Sequence, residues 1–99
     1  MRIQVANIYT RAANTEAPFA LPKNCKWYTM QCRTAVAVRI AFESGHVASS
    51  EPPYYTMKSG AVLKEDDLDI PRGQPMYFAA ASAVTIEVMM GVEEEVSAG

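Results

Sequence analysis

The chain has 99 residues, 49% of them hydrophobic and 20% charged, which is the composition of a globular domain and not of a disordered or fibrous segment. A chain this short buries only about 60–70% of the surface it exposes when unfolded, so a single domain over residues 1–99 is expected and a multidomain enzyme is excluded. The net charge of −2 is unevenly spread. Residues 1–42 carry six Lys and Arg against Glu16 alone (+5), and residues 43–99 carry three against ten acidic residues (−7). Either strands from both halves interleave and the asymmetry vanishes, or a polar surface is left that pairs with another copy or a partner. The basic residues are scattered and the pI is near 5.3, so no nucleic-acid partner is expected.

The start, Met1-Arg2-Ile3-Gln4-Val5, lacks the apolar core of a signal peptide, and no stretch approaches the roughly 20 apolar residues that span a bilayer. A soluble, non-exported chain with no membrane partner is the expectation. Cys25 and Cys32 are too few for a secreted disulfide framework and lack CxxC spacing, so reduced thiols and no metal site are expected.

In chain order, residues 2–9 read as a strand, and residues 10–24, with Pro18 and Pro22 around Phe19 and Leu21, as a long connection across one edge. Residues 25–33 form a strand with Tyr28, Met30 and Cys32 on one face and Trp27, Thr29, Gln31 and Arg33 on the other. In 35–42, Val36, Val38, Ile40 and Phe42 alternate with Ala35, Ala37, Arg39 and Ala41, the pattern of a half-buried strand. Weaker strand signals lie at 46–50 and 54–58. Lys64-Glu65-Asp66-Asp67-Leu68 suggests one helical turn that tucks Leu63 or Leu68 under the sheets. Residues 76–81 are a strand apolar on both faces. In 83–92, Val84, Ile86, Val88, Met90 and Val92 alternate with Ala83, Thr85, Glu87 and Met89. Turn signals at Ser44-Gly45, Ser59-Gly60 and Pro71-Arg72-Gly73-Gln74-Pro75 separate these runs. The polar segment 93–99 reads as a flexible acidic tail. Together they predict an all-β chain: one antiparallel β-sandwich, jelly-roll-like or immunoglobulin-like.

Catalysis needs a constellation, and the sequence offers single groups. His46, the only histidine, follows Gly45 in a hairpin loop with no nucleophile motif to pair with it, and no GxGxxG, Walker loop or HExxH occurs. A non-enzyme with no cofactor is expected. Glu65, Asp66, Asp67 and Asp69 supply oxygens of the kind calcium takes, but without the EF-hand pattern they read as a solvated acidic turn. Strand arithmetic separates Cys25 from Cys32 by seven residues, or about 23 Å, and points them to opposite faces, so they do not pair. Cys32 is then a core thiol and Cys25 lies nearer the strand end.

The outward positions carry more information. Trp27 points away from the core face, and the outward residues around it are small: Ala35, Ala37, Ala41 and Ala83, with Ala79 and Ala81 as further candidates. Such a face admits a second surface closely; the competing reading is that the 10–24 connection, through Phe19, covers Trp27. Tyr54, Tyr55 and Tyr77 add aromatic contacts of the kind favoured at interfaces. Trp27, Tyr54, Tyr55 and Tyr77 are therefore the candidate interface residues.

The run Tyr54-Tyr55-Thr56-Met57-Lys58-Ser59-Gly60, then Leu63-Lys64-Glu65-Asp66-Asp67-Leu68, Met76-Tyr77-Phe78-Ala79-Ala80-Ala81 and Val84-Thr85-Ile86-Glu87-Val88, resembles the carboxyl-terminal half of small β-sandwich virion proteins of tailed bacteriophages. The resemblance is one of strands and turns, without a catalytic motif. It implies a structural protein of the virion, made in the host cytoplasm: a capsid decoration or cement protein, or a head-fibre or neck component. Such a protein works as a homo-oligomer, for example a trimer, and through contacts with partners such as the major capsid protein. The alternative is a carbohydrate-binding module whose exposed aromatics stack on a glycan.

Overall fold

The computed structural model describes residues 1–93 and contains eight strands. They are β1 (Arg2–Thr10), β2 (Ala17–Leu21), β3 (Cys25–Cys32), β4 (Val38–Ala41), β5 (Tyr55–Met57), β6 (Val62–Glu65), β7 (Gln74–Ala80) and β8 (Val84–Val92). One sheet has the order β1-β8-β3-β6 and the other β2-β7-β4-β5, with every pairing antiparallel. The pairs β1–β8, β2–β7, β3–β6 and β4–β5 are those of one long hairpin wound into two sheets. That strand order makes the sandwich a jelly roll and not an immunoglobulin-like fold. Strands from both halves of the chain alternate across both sheets, which intermixes the basic and acidic segments.

The inner faces close on one core. Phe78, Met30, Met57, Met76, Ile86, Met90, Val38 and Val88 are its largest fully buried side chains, and the unbranched methionines fill the space between two twisted sheets. The one buried polar side chain among the described residues, Thr10, sits where β1 ends. Its Oγ1 accepts the Val84 amide at 2.9 Å and faces the Val84 carbonyl at 3.4 Å, so its burial leaves no hydrogen bond unmade. Gly73 has φ +80°, and a Cβ there would collide with the Leu21 carbonyl oxygen; only glycine lets the 70–73 turn close against the end of β2.

Four expectations need correction. Residues 17–21, read as connection, are strand β2. It lies at a sheet edge, where the missing amide of Pro18 costs no ladder bond to a second neighbour. No helical turn forms at 64–68: Val62–Glu65 pair with Tyr28–Gln31 as β6, and tertiary pairing overrides the helical bias of the charged run. Leu63 and Leu68 nevertheless pack against the core. Residues 46–50 form turns instead of a strand. The cysteine parity also fails, because the register shifts between Cys25 and Trp27. With Lys26 as the extra residue of that bulge, Cys25 rejoins the inner face and is fully buried, while Cys32 is half-buried. Both thiols are free, and burial raises the Cys25 pKa, which holds it in the unreactive thiol form. The tail expectation falls mostly on residues 94–99, outside the described residues.

Candidate interaction face

The two outer faces of the sandwich are finished differently. On the β2-β7-β4-β5 sheet, Ala41 and Ala79 point outward, yet they are buried together with Val47, and Tyr54 and Tyr77 pack against the three. The covering material is the chain itself. The 42–54 loop folds back over the sheet, held by the Arg39 Nε donating to the Val47 carbonyl at 2.6 Å and by Arg39 Nη2 on Asn14 Oδ1 at 2.7 Å. Glu16 accepts the Ser44 hydroxyl at 2.7 Å and the Gly45 amide at 2.9 Å. His46 belongs to this device: its Nδ1 donates to the Glu51 carbonyl at 2.9 Å, and Nε2 lies 3.6 Å from the Glu43 carboxylate. Of the small residues expected around Trp27, only Ala41 and Ala79 receive a closely approaching second surface, which is this loop, and they lie on the sheet opposite Trp27; Ala35, Ala37, Ala81 and Ala83 are exposed outside the strands.

The outer face of β1-β8-β3-β6 has no such cover among the described residues. Register places Ile3, Gly91 and Trp27 in one row across it, Val5, Met89, Thr29 and Lys64 in the next, and Asn7, Glu87, Gln31 and Val62 in the third. Apolar side chains collect at one end. Val5 is 70% exposed, Ile3 64% and Met89 43%, with Met1 beside them at 65%. The third row is polar apart from the exposed Val62 at its edge: Glu87 accepts from Gln31 Nε2 at 3.1 Å and from Arg33 Nε at 3.2 Å, and these two bonds lower its pKa.

Trp27 anchors the apolar end. It projects outward as its parity predicts, but neither Phe19 nor the 10–24 segment covers it: Phe19 packs on the core from β2. The indole lies across Gly91 of the neighbouring strand. A Cβ at position 91 would be 2.5 Å from Trp27 Cε2, closer still to Nε1, and 2.8 Å from the Met1 sulfur. The indole N–H points at that sulfur, 3.3 Å away. Glycine thus lets the ring sit down on the sheet, and the ring covers backbone that glycine leaves bare. Beside it, Trp27, Tyr28, Thr29, Lys64, Glu65, Asp66 and Met89 line a groove of about 480 Å³.

Of the four residues singled out from the sequence, only Trp27 belongs to this face. Tyr54 and Tyr77 are partly buried in sealing the opposite sheet, and Tyr55, 56% exposed, stands at the edge strand β5 in the row of Ile40. Met1, Ile3 and Val5 were not legible as site residues. Residues 3 and 5 are apolar, but so are 6 and 8, so β1 does not declare which parity faces out.

Tyr28, under the groove, is buried, and desolvation with the nearby Glu65 charge pushes its pKa up to about 12. A phenol held neutral above its usual value of about 10 contributes stability that is full below pH 10 and is lost as pH rises through 12. The unfolding midpoint of the wild type is therefore expected to fall across that window, and Tyr28→Phe to fall less steeply, as denaturant titrations at pH 9 to 12 would read.

No group of three or more His, Cys, Asp or Glu that could hold a metal ion occurs among the described residues, and no helix is long and apolar enough to cross a membrane. The protein-family models, the curated proteins and the solved structures compared with the chain contain no match.

Proposed function

We propose that the protein is a structural component of a bacteriophage virion, a capsid decoration or cement protein or a head-fibre or neck component, attached through the bare outer face of β1-β8-β3-β6. The carrying observation is the contrast between the two outer faces. One is largely covered by the chain's own loop, with Phe42 and Tyr55 left exposed at its β4-β5 end, whereas the other keeps Met1, Ile3, Val5 and Met89 in solvent around a seated tryptophan. Contiguous apolar surface of this kind marks a site of association. The jelly roll is a fold of viral capsid domains among others, and the resemblance of residues 54–88 to phage virion proteins points the same way. Fold alone does not assign function; the bare face supports a role in association.

The groove beside Trp27 favours one second reading. An indole beside Thr29, Lys64, Glu65 and Asp66 has the make-up of a sugar platform, an apolar ring with polar groups at its rim. The two readings separate on what the protein binds, and Met89→Asp, which places a charge on the exposed apolar end without touching the core, tests the first. Attachment to the virion is expected to weaken by about tenfold or more, the loss that follows from about 1.4 kcal/mol of binding energy. A variant that still binds its particle like wild type, or a wild-type protein that binds glycans and no particle, overturns the assembly reading.

A further inference from the structure

A β-sandwich with two open sheets has four edge strands, and here they are β1 and β6 in one sheet and β2 and β5 in the other. An edge presents unpaired backbone groups to any extended strand, so natural sheets guard their edges with short strands, proline or charge. Three of the four are guarded in these ways. β2 has five residues and contains Pro18. β5 has three residues and follows Pro52 and Pro53. β6 has four residues and ends in Lys64-Glu65. β1 is the exception: nine residues, Arg2–Thr10, in unbroken register with β8, with no proline and with Arg2 as its sole charge. Its outward side chains include the exposed Ile3, Val5 and Tyr9.

We infer that β1 is a self-pairing edge: two copies of the chain join antiparallel along β1 about a two-fold axis, so that their sheets run on as one of eight strands. The occupant is a second copy for reasons of charge and symmetry. A two-fold contact satisfies both unguarded edges at once, since the same strand serves on each side. Full overlap of nine residues puts the axis at Ala6, setting Ile3 opposite the partner's Tyr9 and Val5 opposite the partner's Asn7. The two Arg2 side chains then lie eight residues apart along the ladder, about 27 Å, well beyond a Debye length at physiological salt. Within the nine-residue ladder no charged residue faces another; the one approach of like charges is just beyond each end, where Arg11 follows the Thr10 that faces the partner's Arg2. The bare apolar faces of the two copies become continuous, which is how this inference deepens the assembly reading: it rests on that reading for its use and names one partner. Pairing along one edge buries less than the roughly 800 Å² per partner of a standard interface, so the free dimer is weak and concentration-dependent.

The test is amide hydrogen exchange by nuclear magnetic resonance on the full chain, above and below the concentration at which light scattering detects dimer. Alternate β1 amides, those directed away from β8, are expected to exchange slowly in the dimer and at least tenfold faster on dilution, while β8 amides stay protected in both. Val5→Lys, at a residue already exposed, supplies the missing guard and should lower dimer affinity at least tenfold with an unchanged circular dichroism spectrum. Met89→Asp, on a central strand, should leave the dimer intact although it loosens the particle. A chain that stays monomeric at all concentrations overturns the inference, as does a dimer whose outward β1 amides exchange as in the monomer. A dimer abolished by Met89→Asp but not by Val5→Lys also overturns it. In each case the virion reading stands or falls separately, on particle attachment.

Discussion

Gly91→Val is expected to destabilise the protein, although valine is the better strand former. Intrinsic strand preference favours valine by up to about 1 kcal/mol, but the added Cβ would lie inside the Trp27 ring and against the Met1 sulfur. The indole must lift off β8, and forcing side chains from a packed site costs about 1–3 kcal/mol, so the steric term wins. Two readouts should move together: a lower unfolding midpoint, and a red-shifted tryptophan emission as the ring enters water. Trp27 is the only tryptophan, which makes the spectrum unambiguous. Under the proposed function, attachment to the particle should fall with them, because the ring is the seat of the apolar face. An equally stable variant with unchanged emission would mean that the indole does not rest on Gly91.

Val47→Asp is expected to open the other side of the molecule. Val47 is fully buried between the loop and the outward Ala41 and Ala79, and a carboxylate there loses its hydration while the neighbouring Arg39 is already engaged by the Val47 carbonyl and Asn14, a penalty on the order of 3 kcal/mol. The loop is held by side-chain bonds from Arg39 and to Glu16 and not by a strand ladder, so it should release locally before the sandwich unfolds. Proteolysis between residues 42 and 54 should accelerate at least tenfold, while the β8 amides keep their protection. The released sheet would then expose Ala41 and Ala79, and a new tendency to aggregate is expected. Loss of the whole fold would instead show that the loop is integral to the core.

These two outcomes locate what could and could not be read from the chain. The strands with a strict alternation, Val84 to Val92 above all, were legible because one face is entirely buried and the other is not. The Pro18 strand was hidden because proline is tolerated at an edge, and a one-dimensional pattern does not say which strand is the edge. Cys25 was assigned to the wrong face because one bulge residue, Lys26, reverses parity without any mark in composition. Among the outward alanines only Ala41 and Ala79 meet a closely approaching surface, and on the sheet opposite Trp27. Their partner was an intramolecular loop in which Val47 is a single buried apolar residue among turn residues, too weak a pattern to announce packing. Trp27 was legible as outward; that it has a seat depended on Gly91, 64 positions away in the sequence and adjacent only through the β3–β8 register.

The central claim is that the outer face around Trp27 and Met89 is covered when the protein is at work. Peroxide footprinting read by mass spectrometry on purified virions, with the free protein as reference, tests it most directly. Met89, 43% exposed in the isolated chain, should be readily oxidised when free and protected severalfold in the particle, while the buried Met30 and Met76 resist in both. Absence of the chain from virions, or equal oxidation of Met89 in both states, would contradict the account.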